Sequence, residues 1–173
     1  FPEVTLVSLP GYHDPNFMRC QNGCRYFKST VDEAVKAAKD SKAPVLLVSH
    51  GPPHGNGNAA LDFSAAGDIN AGDNEVNRAI KEGNIAFGVF SNIKESGGRA
   101  TAEPEATTQI KEGTASKSLF VAAGPADTMK WAMNDGTTSF GMATVVSIKD
   151  GQASYKVLRN KQMTAAEKTE AAK

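Results

Sequence analysis

The chain lacks several features that mark common functional classes. Lysine and arginine together number 19, and so do aspartate and glutamate. No charge excess therefore points to nucleic acid or an anionic membrane as a partner. The apolar runs, such as VLLV and IAFGVF, are too short to span a bilayer. The two cysteines alone do not make a structural zinc site, which needs four ligands.

Two further motifs are missing or incomplete. The Gly-x-Ser-x-Gly signature of many serine hydrolases is absent. The run Gly55-Asn56-Gly57 resembles a phosphate-binding loop only superficially, because no Lys-Ser/Thr or further glycine follows at the required spacing. The sequence therefore favours neither of these chemistries.

What the chain does have is an alternation of helical and strand patterns. Its 173 residues, 40% of them hydrophobic, suffice for one loop-rich globular domain. Thr30-x-x-Glu33 reads as a capping box, and Asp73 is placed to cap a second helix that ends at Gly83. This order predicts an α/β fold. The predicted strands cover 1–9, 45–49, 85–90 and 118–123, and the predicted helices cover 30–41 and 74–82.

The carboxyl-terminal part has a different pattern. Asp150-Gly151 between the apolar segments 142–148 and 153–158 predicts a β-hairpin, and Asn134-Asp135-Gly136 predicts a turn. Residues 100–117 are expected to form an exposed connection. Residues 164–173, charged and rich in alanine, are expected to form a frayed helix or a disordered tail.

His50 is the first candidate functional residue. It follows the buried strand VLLVS and precedes Gly51-Pro52-Pro53, so it should lie at the carboxyl end of a central strand. Strands that end near His50, Asn92 and Gly124 place three loops on one sheet edge, where α/β proteins hold ligands. The residue either binds a ligand or is satisfied by loop backbone.

The long loop 50–72 is expected either to bind something or to be disordered. His54 lies in this Gly/Pro-rich loop, so its spacing from His50 lacks the helical logic of zinc motifs. Asp62, Asp68 and Asp73 either bind a hard cation or serve as turn and cap residues, and the second role is the commoner one for aspartate.

Cys20 and Cys24 are separated by the turn-forming Gln21-Asn22-Gly23. A disulfide between them is geometrically possible, two free thiols are the alternative, and the turn slightly favours the disulfide. The start at Phe1 suggests a processed or truncated terminus, and no signal peptide is visible. With the polar tail, these features are compatible with a secreted or extracytoplasmic protein.

Several segments resemble a known family. SHGPP at 49–53, Gly72-Asp73, FGVFSNIKESGGRA at 87–100 and Ala123-Gly124-Pro125 look like the C-terminal half of a calcineurin-like metallophosphoesterase. The resemblance runs from about Val4 to Arg159. It implies an α/β fold with mixed β-sheet layers flanked by helices, a partial αββα sandwich, in one domain over residues 1–160 with a polar tail over 161–173.

The resemblance also implies roles for individual residues. Family members hold a pair of divalent metal ions (Mn, Fe or Zn) that positions a hydroxide for attack on phosphorus. His50 matches a metal-ligand histidine, while Asn92 and Lys94 stand where the Gly-His-x-His motif has its two histidines. Asn92 retains an oxygen for a hard ion. A charged Lys94 cannot ligate and is expected to replace a metal's charge or to pair with a carboxylate. His54 and Arg99 are candidate phosphate-binding residues, Arg99 through its planar fork of donors.

The family's earlier motifs, Asp-x-His, Gly-Asp-x-x-Asp and Gly-Asn-His-Asp/Glu, are absent, and His13-Asp14 fits none of them. The chain is therefore expected to be a catalytically degenerate domain that acts as a structural or binding component of a larger assembly, with an N-terminal half or another protein subunit as its partner. The alternative is a metal-dependent phosphoesterase completed by an N-terminal half. A subunit of an extracellular assembly is a third possibility.

Overall fold

The computed structural model describes residues 3–12, 14–15 and 23–162, and it is built on a five-stranded mixed β-sheet flanked by helices. The strands are β1 Thr5–Leu9, β2 Val45–Ser49, β3 Phe63–Ser64, β4 Ile69–Asn70, β5 Phe87–Phe90, β6 Ala100–Thr101, β7 Leu119–Ala122, β8 Trp131–Ala132, β9 Thr138–Ser139, β10 Met142–Lys149 and β11 Gln152–Arg159. The helices are α1 Lys28–Asp40 and α2 Asn74–Glu82, with a short 3-10 helix at Lys94–Ser96.

The central sheet has the order β1-β2-β5-β7-β6. The first four strands are parallel, and β6 is antiparallel to β7. The other strands form the two-stranded sheets β3-β4, β8-β9 and β10-β11. The predicted α/β class is thus confirmed.

Most predicted elements are present, with β2 and α2 at the predicted bounds. The predicted apolar stripe of α1 is buried. The capping box predicted Thr30 as the N-cap, which is wrong, because Thr30 lies inside the helix. The helix begins earlier, with Phe27 as its N-cap, and Thr30 Oγ1 accepts a hydrogen bond from the Phe27 amide at 3.3 Å. Thr30 therefore caps from inside the first turn. The stripe consists of Val31, Ala34, Val35 and Ala38.

Helix α2 follows its prediction closely. Asp73 is the N-cap, and its Oδ1 accepts the Glu75 amide at 2.8 Å. Gly83 is the C-cap but keeps a right-handed conformation, with φ −79°. The left-handed residue is Asn84, with φ 50°, and asparagine tolerates that region better than most residues.

Two segments hold more structure than predicted. The loop 50–72 contains the small hairpin of β3 and β4. Residues 100–117 were predicted to be an exposed connection, which is wrong at their start, where Ala100 and Thr101 are both fully buried in β6. This strand is too short for a periodicity to show, and it forms because it pairs with the open edge of β7.

One face of the sheet is covered by both helices. Inward residues of β1 and β2 pack against the apolar stripes of α1 and α2 in one continuous core. Val7, Leu9 and Leu47 are among the buried strand residues of this helix face.

The opposite face is covered by the β10-β11 hairpin. Phe87 of β5 and Leu119 of β7 pack against Ala153, Tyr155 and Val157 of β11 in a second core. Asp150 and Gly151 form the tight turn with φ 50° and 71°, as the sequence predicted. The sheet and the hairpin therefore stack as two β layers.

No helix among the described residues is long and apolar enough to cross a membrane. Most of the predicted tail, from residue 163 onward, lies outside the described residues, as do His13 and Cys20.

Candidate functional site

The candidate site lies where the parallel strands β2 and β5 end. Because the two strands are in register from Leu46–Phe87 to Ser49–Phe90, the residues that follow them emerge at the same edge. His50 is held there by backbone hydrogen bonds, donating its amide to Leu9 at 3.4 Å and accepting the Ser91 amide at 3.2 Å. Its side chain is exposed.

Tyr12 connects the two residues predicted as metal ligands. Its ring meets the His50 imidazole edge-on, with centroids 5.6 Å apart. Its hydroxyl accepts a hydrogen bond of 2.6 Å from Asn92 Nδ2. Gly51 lies against the same ring, so close that a Cβ there would stand 3.2 Å from Cζ. The structure therefore brings His50 and Asn92 together around a buried phenol.

The surroundings of Tyr12 keep its phenol protonated. Burial is the main cause that raises its pKa to about 12, and Asp73 and Asp62 raise it further, while the hydrogen bond from Asn92 opposes them. No pattern in the sequence marked Tyr12 as part of the site.

Tyr26 fixes the start of α2 beside this site. It is fully buried, and its hydroxyl donates a hydrogen bond to Asp73 Oδ2. Burial and this carboxylate both raise the pKa of Tyr26. Asp73 thus caps α2 with one oxygen and accepts from Tyr26 with the other, which confirms its predicted role as a cap residue.

The carboxylate of Asp62 is a hydrogen-bond acceptor shared by several residues of the 50–72 loop. It is fully buried and accepts the amides of Gly55 at 3.0 Å and Gly72 at 2.9 Å, together with Asn70 Nδ2 at 2.8 Å. Asp68 has φ 49° in the turn between β3 and β4. Asp62 and Asp68 are therefore loop and turn residues, the commoner of the two predicted roles.

His54 lies beside the buried carboxylate of Asp62. Its Nδ1 is 3.5 Å from Asp62 Oδ2. Its backbone is held by Asn77, which accepts the His54 amide at 2.7 Å and donates to its carbonyl at 2.8 Å. The imidazole ring is partly exposed, while the backbone amide and carbonyl of His54 are both hydrogen-bonded. The phosphate-binding role of His54 stays a prediction.

Arg99 holds the same loop from the other side. It is buried, and its Nη1 donates to the carbonyls of Asn58 at 2.6 Å and Ala60 at 3.4 Å. Burial lowers the pKa of its guanidinium, and Asp135 partly offsets this. Because Nη1 already serves the backbone, fewer donors remain for a phosphate; that role also stays a prediction.

Lys94 pairs with a carboxylate, one of the two outcomes expected for it. Its Nζ is 3.3 Å from Asp127 Oδ2 and 3.9 Å above the centre of the Trp131 ring. Trp131 Nε1 donates to Asp127 Oδ1 at 2.8 Å. This indole hydrogen bond is the main cause that lowers the pKa of Asp127, and Lys94 adds to it.

The described residues do not supply a full set of ligands for a metal centre. His50 and Asn92 supply two ligand groups, fewer than the four that a tetrahedral site needs. Asn92 donates Nδ2 to Tyr12, which leaves its Oδ1 as the atom that could contact an ion. Among the described residues, no group of three or more His, Cys, Asp or Glu side chains could hold a metal ion.

Cys24 is exposed. The predicted disulfide stays a prediction, since its other member, Cys20, lies outside the described residues.

Comparison of the chain with protein-family models, with curated proteins and with solved structures gives no match.

Proposed function

We propose that this chain is a metallophosphoesterase-like domain that has lost catalytic capacity and serves as a structural or binding component of a larger assembly. The observation that carries the proposal is the environment of Lys94. It stands at a position where the resemblance expects a metal-binding histidine, and its ammonium is instead committed to Asp127 and Trp131. An ammonium held in this way occupies the position with a positive charge of its own.

The second support is architectural. The hairpin lies on the sheet as a second β layer, as a partial αββα sandwich requires. Its outer face leaves Val145 and Leu158 exposed, and a complete sandwich would carry a helical layer there. The apolar side chains on that face favour a domain that is completed by another polypeptide.

The test uses the purified chain incubated with Mn²⁺, Fe²⁺ or Zn²⁺ and then desalted. We expect elemental analysis to find less than stoichiometric metal, and bis(p-nitrophenyl) phosphate to be hydrolysed no faster than in buffer. Stoichiometric metal together with turnover would overturn the proposal.

The second candidate function is a metal-dependent phosphoesterase completed by an N-terminal half. It is favoured by one observation, the exposed side chain of His50 at the strand edge beside Asn92, where ligands from another segment have access. If this candidate is correct, His50→Ala abolishes hydrolysis by the completed protein, whereas Ile69→Ala, a change at another exposed residue, leaves it unchanged. If the domain is a binding component, both variants behave like the parent chain.

A further inference from the structure

The strand β1 is an open edge of the central sheet. It pairs with β2 on one side, and within the described chain no strand lies on its other side. The Thr5 amide faces β2, because it donates to the Pro44 carbonyl at 2.9 Å. Backbone groups alternate in direction along a parallel strand, so the amides and carbonyls of Leu6 and Ser8 point away from β2. No hydrogen bond from the rest of the described chain reaches these outward groups.

The sequence of β1 leaves this edge without the usual protection. Natural sheet edges carry charged residues or proline, or are covered by another segment. The strand reads TLVSL and contains neither a charge nor a proline. Glu3 and Pro10 lie just outside it, so they limit the length over which another strand can pair. The five residues of β1 themselves are open to pairing.

The apolar surface beside this edge is also uncovered on the hairpin face. Leu6, Leu46 and Phe87 are neighbours in one row across β1, β2 and β5. Along this row Phe87 is 1% exposed, Leu46 is partly buried, and Leu6 is 54% exposed. In the next row Ser8 is exposed, and Val48 beside it is 41% exposed. The cover of this face therefore decreases from β5 towards β1.

We propose that β1 pairs with β1 of a second copy of the chain. The two strands run antiparallel across a two-fold axis beside Val7, and the two central sheets become one continuous sheet. In this register Leu6 of each copy faces Ser8 of the other. Each of these two pairs exchanges two backbone hydrogen bonds, so the outward amides and carbonyls of both residues find partners.

The side chains of this edge are complementary to themselves, as a two-fold interface requires. An axis perpendicular to the sheet keeps the hairpin faces of both copies on the same side. The bulky Leu6 of each copy then lies beside the small Ser8 of the other, and the two Leu6 side chains are diagonal neighbours within reach of each other. Val48 follows on each side, since it is the partner of Ser8 in β2. The exposed apolar side chains of the two copies thus form one patch.

Charge is the further reason to expect a second copy. A two-fold axis brings each residue of an edge close to its own counterpart, and like charges opposite each other destabilise a strand pair. The strand β1 has no charge, so it does not repel itself. The whole chain has 19 basic and 19 acidic residues and a formal net charge of zero, and proteins with a net charge near zero associate more readily.

The first test is sedimentation equilibrium of the purified chain from about 1 μM to about 1 mM, since a one-strand interface lies at the small end of the size range. We expect a reversible monomer–dimer equilibrium. Leu6→Lys brings two like charges together across the axis and should raise the dissociation constant by roughly tenfold or more. The matched control is Ile69→Lys, because Ile69 is 47% exposed but lies in the β3-β4 hairpin. It should leave the dissociation constant unchanged.

Three results would each overturn the proposal. The first is a parent chain that stays monomeric at about 1 mM, which would reserve the edge for a different polypeptide. The second is a dimer that Leu6→Lys does not weaken. The third is equal weakening by Leu6→Lys and Ile69→Lys. Circular dichroism of both variants should match the parent chain, because both substituted side chains are exposed.

A second measurement needs no substitution. Amide hydrogen exchange of the parent chain is followed at concentrations below and above the dissociation constant. The amides of Leu6 and Ser8 should exchange at least tenfold more slowly in the dimer, whereas the Thr5 amide, already bonded to Pro44, should change little. Unchanged exchange at Leu6 and Ser8 would overturn the proposal even where a dimer forms, because the dimer would then use another surface.

The dimer goes beyond the proposed function and does not depend on it. The pairing of β1 uses neither His50 nor Lys94. Metal-dependent hydrolysis would therefore disprove the loss of catalysis and leave the sedimentation and exchange results unchanged, so the two failures are distinguishable.

Discussion

The two faces of the central sheet are covered to different extents. On the helix face, α1 and α2 cover β1 and β2, and Leu9 and Leu47 are fully buried. On the hairpin face the same two strands expose Leu6 and Val48. Leu47 therefore lies in a closed core, whereas the next residue of the same strand, Val48, lies on an exposed surface.

This difference separates the sheet surface that the chain covers with its own elements from the surface that it leaves exposed. On the helix face, α1 and α2 cover the inward side chains of β1 and β2. The hairpin face is complete only over β5 and β7, and apolar side chains remain where the cover stops. Contiguous exposed apolar patches are characteristic of interaction sites, and the contrast separates the side chains that stabilise the domain from those that it leaves exposed.

The largest expected effect distinguishes the two faces directly. Leu47→Ala should lower the free energy of unfolding by about 2–5 kcal/mol, because it leaves a cavity in a closed core. Val48→Ala, at the next residue, should change it by no more than about 0.5 kcal/mol. Urea unfolding followed by circular dichroism measures both. Equal losses would show that the hairpin face is closed as well.

The second prediction compares the hairpin's inner and outer amides. In a two-residue hairpin the residues that flank the turn form a hydrogen-bonded pair, and alternate pairs follow along the strands, so the Val145 amide points to β11 and the Val146 amide points away from it. Val145→Pro removes an amide bonded to β11 and should cost about 3 kcal/mol. Val146→Pro removes an outward amide and should cost about 1 kcal/mol, chiefly through lost side-chain packing. Thermal unfolding of the two variants tests this order, and a reversed order would contradict the assigned hydrogen-bond pattern.

A smaller effect is expected where Lys94 joins the hairpin-side core through Trp131, which packs at its margin. Lys94→Met should remove about 0.5–1 kcal/mol of cation–π stabilisation and shift the emission of the chain's single tryptophan. Lys130→Met, at an exposed neighbour, is the control. Identical emission spectra for the two variants would argue against the contact.

The smallest effect concerns pH at the closed edge of β11. Burial alone would raise the pKa of Glu112, but the Val157 amide and Arg159 outweigh it, so the pKa is lowered from its usual 4.5. A carboxylate with a lowered folded-state pKa adds stability above 4.5, and this is lost as pH falls through the folded value. The loss should be well under 1 kcal/mol, because the pair is partly exposed. Acid titration of unfolding should show this component in the parent chain and not in Glu112→Gln.

Much of the fold could be predicted from local patterns. The run VLLVS identified β2, Asp73 identified the start of α2, and Asp150-Gly151 identified the hairpin. Strand β6 could not be predicted, because two residues carry no periodicity and form a strand only by pairing with β7.

The site was predictable only in part. Its position at the ends of β2 and β5 followed from His50 and Asn92. The role of Tyr12 did not, because it depends on a contact between residues 80 positions apart in sequence. The partner of Lys94, Asp127, is likewise set by tertiary packing, although a carboxylate was an expected outcome.

Asp62 has a further consequence for the loop around it. A buried carboxylate that accepts Gly55, Gly72 and Asn70 ties together positions far apart in the loop. Breaking one of these bonds leaves a buried charge less well solvated, so the others weaken with it. The segment should therefore resist limited proteolysis despite its glycines and prolines, and when it opens it should open as one cooperative unit rather than fray residue by residue.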